Sequence, residues 1–180
     1  VGSLSDSTVG IKVDLDANAL GQSGSNSYLN AKETSNFPNT SSVNIIGDKA
    51  KEINAYNGST KVTNLQSGSK ANLEFSYTKA ELATSDITST TSVSKLSVVA
   101  YSDDKKDWEN LSTVPTYKDA DGLVVASPEA DLSNVTSVTF TAVTTHFSTF
   151  ALSSPTGVEP PDTPTGLAAS AGSAGSGQIT

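Results

Sequence analysis

The chain contains no cysteine, no methionine and no arginine, and it has one histidine, His146, and one tryptophan, Trp108. Without cysteine it has no disulfide and no thiolate nucleophile or ligand. A single imidazole cannot build an ordinary zinc site within one chain. All 11 basic residues are lysine, set against 19 acidic ones, and the net charge is −8. That balance argues against nucleic acid and against anionic membrane surfaces, both of which reward clustered Lys and Arg. No apolar run approaches the ~18 residues of a transmembrane helix, so no membrane insertion is expected.

Hydroxyl and amide side chains are abundant instead. Ser and Thr together number 51 and Asn 12 among 180 residues. This usage favours short strands and polar loops over long helices. The length suits one domain with a sizeable core. The first residue is not Met and no signal peptide is visible, so a mature or excised fragment is expected. With its Ser/Thr/Asn/Gly bias and its lack of thiols, the chain reads as part of a bacterial or archaeal protein, extracellular or at the cell surface. Asn-x-Ser/Thr sequons begin at Asn39, Asn57, Asn110 and Asn134, and a composition this rich in Ser and Thr produces most such matches by chance.

The clearest period-two alternation lies in residues 138–152. Val138, Phe140 and Ala142 share one parity, and Phe150 and Leu152 resume it after Thr144 and Thr145. The pattern predicts two antiparallel strands, the second over 146–152, each with one buried face. By that parity His146 and Ser148 share the Phe150 face and Phe147 points away. Two residues along a strand span roughly 6.5 Å, so imidazole and hydroxyl could approach if the backbone kinks.

Upstream, residues 8–15 read as the first strand, 43–46 and 52–56 as short strands, and Asn57-Gly58 as a hairpin turn with 61–65 returning. Residues 27–42 are ambiguous. Residues 71–77 alternate cleanly, and Thr78 with Glu81 fits the capping box of a single helical turn. Residues 86–94 read as a Ser/Thr loop, 95–102 as a central strand, 103–106 as a charged turn and 108–111 as its return. An acidic turn over 118–122 precedes a strand over 123–126. The expected fold is all-β, an antiparallel two-sheet β-sandwich with an extended C-terminal tail. Its domains are a sandwich over 1–152, a proline-rich linker over 153–165 and a segment over 166–180. That last segment is an extended tail or the first strand of a following fibronectin type III-like module, whose Pro-x-x-Leu opening it resembles.

Residues 8–152 resemble the β-sandwich module shared by zonula occludens proteins, ankyrins and netrin receptors, in its bacterial surface-protein version. Val9–Leu20 is similar to the opening strand, Asn72–Tyr77 with Glu81 and Leu82 to the middle strand, and Leu96–Tyr101 with Trp108–Leu111 to the strand pair ending in Trp. Val143–Leu152 is similar to the closing strand. Asp16 and Ala17 stand where the family often has a Pro, and 21–42 reads as an insertion. In some eukaryotic relatives a His-Phe-Ser tripeptide cuts its own backbone. The resemblance thus offers His146, Phe147 and Ser148 as an autoproteolytic set. The Ser148 hydroxyl would attack the Phe147 carbonyl, with His146 as base, in a strained peptide with donors for the oxyanion. The plainer role for His146 and Ser148 is to fix the last strand.

Other chemistry is sparse. Nothing resembles a nucleophile elbow around Ser148. Acidic turns at Asp103 and Asp104 and at Asp119 and Asp121 are oxygen-rich enough to suggest calcium. None matches the helix-flanked calcium loop, so solvated turn charges are the plainer reading and no other cofactor is expected. Trp108 reads as a core residue sharing its surroundings with Leu111, rather than as a carbohydrate platform. The expected function is a non-enzymatic structural module of a surface protein: a spacer, an adhesin part or a filament subunit. Its partners would be other domains of the same protein or identical subunits, joined by strand addition through a terminal segment such as 177–180 or the residues before Thr8. The alternative is a self-cleaving module cut between Phe147 and Ser148.

Overall fold

The computed structural model describes residues 2–21, 27–38 and 43–155. In chain order the strands are β1 (Ser3–Asp6), β2 (Ile11–Leu15), β3 (Ser27–Thr34), β4 (Val43–Ile45), β5 (Ala50–Asn57) and β6 (Thr60–Val62). They continue as β7 (Ala71–Thr78), β8 (Ser97–Ser102), β9 (Asp107–Asn110), β10 (Thr113–Lys118), β11 (Ser137–Thr144) and β12 (Thr149–Pro155). Two short helices, α1 (Lys79–Ala83) and α2 (Thr90–Val93), interrupt them. The five-stranded sheet has the order β1-β2-β7-β11-β10, and the seven-stranded sheet runs β3-β5-β12-β8-β9, with β4 pairing β12 and β6 pairing β5. The strand pairs are antiparallel. The expected all-β two-sheet sandwich is therefore the fold.

Alternation explains which faces meet. Val13, Leu73, Phe75 and Phe140 come from one sheet and Ile53, Val98, Phe150 and Leu152 from the other, all fully or almost fully buried. The Phe75 and Phe150 rings meet at 6.4 Å across the gap. Leu82 and Val93, from the two helices, close one margin of this core. Thr78 and Glu81 form the expected capping box, and Ser89 and Ser92 form another at α2, which lies inside the stretch expected to be a loop. Leu132 is fully buried although its φ is +59°. Burying a leucine is worth about 1.5–3 kcal/mol, enough to offset the ~1–2 kcal/mol that left-handed backbone costs a side chain with a Cβ.

Several boundaries differ from expectation. The opening strand begins at Ile11, because residues 7–10 turn the chain back from β1. Gly10 has φ +65°, and a Cβ there would lie 2.9 Å from the Ser76 carbonyl oxygen. The segment before Thr8 is thus already a strand paired with β2, from Ser3↔Asp14 to Asp6↔Ile11. Residues 27–34 form β3, beside β5. Residues 113–118 form β10, which alternation hides because Pro115 interrupts it. Proline is tolerated because β10 is the sheet's last strand. Residues 123–126 form no strand and touch β10 through one bridge, Lys118↔Val124. The closing strand runs through Pro155, so the sandwich extends three residues past the expected boundary at 152. The rest of the linker and the segment 166–180 lie outside the described residues.

Trp108 is buried, but not beside Leu111. Tyr101 and Trp108 stand opposite each other on β8 and β9, on the outer face of the seven-stranded sheet. There Ala50, Val99, Trp108 and Ala151 form a second cluster, flanked by Phe37, Val43 and Ile45. The indole N–H donates to the Pro38 carbonyl at 3.0 Å. Leu111 packs against the main core instead.

Replacing Phe75 with Ala should cost about 3–5 kcal/mol of unfolding free energy by urea titration, and Thr78→Ala about 1 kcal/mol. A Phe75→Ala loss as small as the cap variant's would contradict this core assignment.

Candidate functional site

The stretch 145–148 connects β11 in one sheet to β12 in the other. The two closing strands are therefore not paired with each other, and the strand expected from His146 begins at Thr149. Because the chain is crossing between layers, strict alternation fails. Phe147 is buried at 6 % exposure and belongs to the main core, as does Phe150. The expectation that it points away is overturned.

Hydrogen bonds fix each step of the crossing. The Leu65 N–H donates to the Thr145 carbonyl at 2.9 Å, the Phe147 N–H to Thr63 at 2.7 Å, and the Ile53 N–H to Ser148 at 3.1 Å. His146 forms an isolated antiparallel bridge with Asn64. The Thr144 hydroxyl donates to the His146 carbonyl at 3.0 Å and accepts from the His146 N–H at 3.3 Å. The His146 ring lies 3.4 Å from the same hydroxyl through Nδ1 and packs at a tilt 6.3 Å from Phe150. The Ser148 hydroxyl donates to the Tyr101 carbonyl.

His146, Phe147 and Ser148 thus share a cleft, but their groups are aimed apart. Among the described residues, no hydrogen bond joins the imidazole to the Ser148 hydroxyl, and none reaches the Phe147 carbonyl oxygen. In this arrangement the chemistry open to Ser148 is hydrogen bonding to β8. Attack on its own preceding carbonyl needs the hydroxyl to leave Tyr101 first.

The cleft has a volume of about 460 Å³ and is also lined by Asp103 and Asp104 from the β8–β9 turn. This brings one expected acidic pair beside the histidine. Lys106 lies 3.6 Å from the Asp103 carboxylate, and Lys105 pairs with Glu109 on the same rim. Asp119 and Asp121 sit elsewhere, after β10. One Asp119 oxygen accepts from the N–H groups of Asp121 at 3.0 Å and Leu123 at 2.9 Å, which uses that carboxylate to shape its own turn. Among the described residues, no three His, Asp or Glu side chains are grouped to hold a metal ion.

Sequence reasoning missed Lys51, which is only 5 % exposed. It shares the core-facing parity of Ile53 and Ala55 on β5, and that parity was the signal that could have found it. Its amine donates to the Val9 carbonyl and lies 5.4 Å from the Tyr77 ring centroid. Burial pushes its pKa below the ordinary lysine value, with Glu33 and Glu81 pulling the other way. It lines a second cleft, of about 410 Å³, with Glu33, Lys49 and Glu81.

No protein-family profile, curated protein or solved structure matches this chain.

Two outcomes are expected. Ser148→Ala leaves the Tyr101 carbonyl without its donor and should cost about 1–3 kcal/mol of stability, read by urea unfolding. For Lys51, the unfolded chain binds the extra proton between the lowered folded pKa and the ordinary 10.5. Stability therefore rises with pH across that window. Lys51→Met should flatten the rise, and an unchanged slope in urea titrations over the pH range approaching 10.5 would contradict the assignment.

Proposed function

We propose that this sandwich is a non-enzymatic structural module of an extracellular cell-surface protein, serving as a spacer, adhesin part or filament subunit. The observation that supports it most is the use made of the one catalytic-looking tripeptide. Phe147 fills the core, the Ser148 hydroxyl bonds to β8, and the His146 main chain is clasped by Thr144 and bridged to Asn64. Each residue holds the crossover between the sheets. The thiol-free, Ser/Thr-rich, acidic composition suits an exposed module that stays soluble through a polar surface. So does the resemblance to the surface-protein version of the zonula occludens, ankyrin and netrin-receptor module.

Partners in this reading are neighbouring domains of the same protein or further copies of the chain. Joining by strand addition would use 177–180, which lie outside the described residues. The segment before Thr8 is a poorer donor, because β1 already pairs with β2. Calcium remains an option only for the separate turns at Asp103–Asp104 and Asp119–Asp121.

The second reading, self-cleavage between Phe147 and Ser148, draws on the order of the three residues and on their place beside a cleft at the crossing between the sheets. Intact mass separates the two. The structural reading expects one species at 18.4 kDa after prolonged incubation of the purified chain. Two fragments meeting at Phe147 and Ser148, abolished by Ser148→Ala, would establish the other.

A further inference from the structure

The margin of the sandwich between β1 and β3 carries a feature that the structural reading does not use. Tyr28 on β3 pairs across the strands with Tyr56 on β5, and their rings stack at 4.8 Å with 15° between planes. Tyr28 is 51 % exposed, although an aromatic ring gains most by burial. Because β3 is the last strand of its sheet, Tyr56 covers one ring face and no described aromatic covers the other. Stacking holds the ring in one orientation, so a ligand meeting the open face would order little.

Tyr28 also borders a cleft of about 490 Å³, within the ~300–1,000 Å³ range of small-molecule sites. Leu4, Leu15 and Leu29 supply apolar wall, while Asp16 and Asn18 supply polar rim. One Asp16 oxygen accepts from the Lys70 N–H at 2.7 Å, and among the described residues no hydrogen bond uses the other. Asn18 is exposed and lines the cleft, with a φ of +61° that asparagine tolerates. Among the described residues no lysine lines this cleft and Asp16 does, which disfavours a phosphate or carboxylate ligand.

We infer that the Tyr28 cleft is a binding site for a neutral oligosaccharide. A pyranose presents an apolar C–H face and a ring of hydroxyls. The open ring of Tyr28 matches the first, and the Asp16 carboxylate and Asn18 amide match the second. The inference goes beyond the structural reading and does not depend on whether the chain cleaves itself. It would make the module adhesive rather than a spacer.

The test is titration of the full chain with cello-, xylo-, manno- and N-acetylchito-oligosaccharides, followed by calorimetry and by amide chemical shifts. Saturable binding to at least one is expected, with shifts around Tyr28 and Asn18. Tyr28→Ala should weaken it by about tenfold or more, Asn18→Gly, which keeps the left-handed backbone, should weaken it too, and Tyr28→Phe should retain it. Thermal midpoints close to the parent's confirm that the variants fold, since both side chains are exposed. No binding across the panel, or binding that Tyr28→Ala leaves unchanged, overturns the inference. So does displacement of the sugar by tetramethylammonium, which would make the site a cation site. Intact mass is unaffected by any of these results, so failure here is distinguishable from failure of the structural reading.

Discussion

The constraint on which this fold depends is the hydrogen-bonded path of one short connection. The chain leaves the five-stranded sheet at Thr144 and joins the middle of the seven-stranded sheet at Thr149. Packed sheets lie about 10 Å apart, and an extended residue spans at most about 3.3–3.6 Å. Five steps at that spacing reach about 17 Å, so the crossing is short but not taut, and its hydrogen bonds fix its path. Along this path Phe147 falls into the core, Thr63, Leu65 and Ile53 all hydrogen-bond to the crossing segment, and the Ser148 hydroxyl reaches β8. β12 then pairs with β5 and β4 on one side and β8 on the other, so the crossing sets the register of the whole second sheet.

The second sheet is buried on both faces over part of its area. Val98 and Ala100 face the main core, while Val99 joins Trp108, Ala50 and Ala151 outside. Phe37 and the Pro38 carbonyl, from the segment after β3, close over the indole. The sandwich is in effect a two-layer core with a small third layer at one end. Among the described residues the outer face of the first sheet has no such cover, and it carries hydroxyl, amide and charged groups, including the Lys12 pairs with Asp14 and Glu74. This asymmetry gives the module one polar broad face and one partly strapped one. Its clefts fall at the margins.

Lys51 shows how the sandwich tolerates a polar intrusion. Its amine is taken out of water at a cost, relieved by the Val9 carbonyl, the Tyr77 ring and the nearby carboxylates of Glu33 and Glu81. Those partners come from both sheets and from the helix after β7, so the lysine ties one end of the sandwich together electrostatically. The opposite end of the same margin is held by apolar contacts and opens into the Tyr28 cleft.

Local pattern alone carried much of the secondary structure. Alternation at 71–77 marks β7, the apolar run at 95–102 marks β8, Thr78 with Glu81 marks a capped turn, and Asn57-Gly58 marks the β5–β6 hairpin, because each signal is written within a few neighbouring residues. Composition alone excluded thiolate and ordinary zinc chemistry. Tertiary structure decided the rest. Pro115 masked β10, and its tolerance depends on an edge position that no local window reveals. The two closing strands alternate alike whether they pair or part, so only the layer each one joins could place His146, Phe147 and Ser148. Asp103 and Asp104 come beside His146 from strands brought together across a long stretch of chain, and Tyr28, Asp16 and Asn18 border one cleft because β3 lies beside β1 at the sandwich margin. Alternation reports which face of a strand is buried; it is silent about which neighbour does the burying.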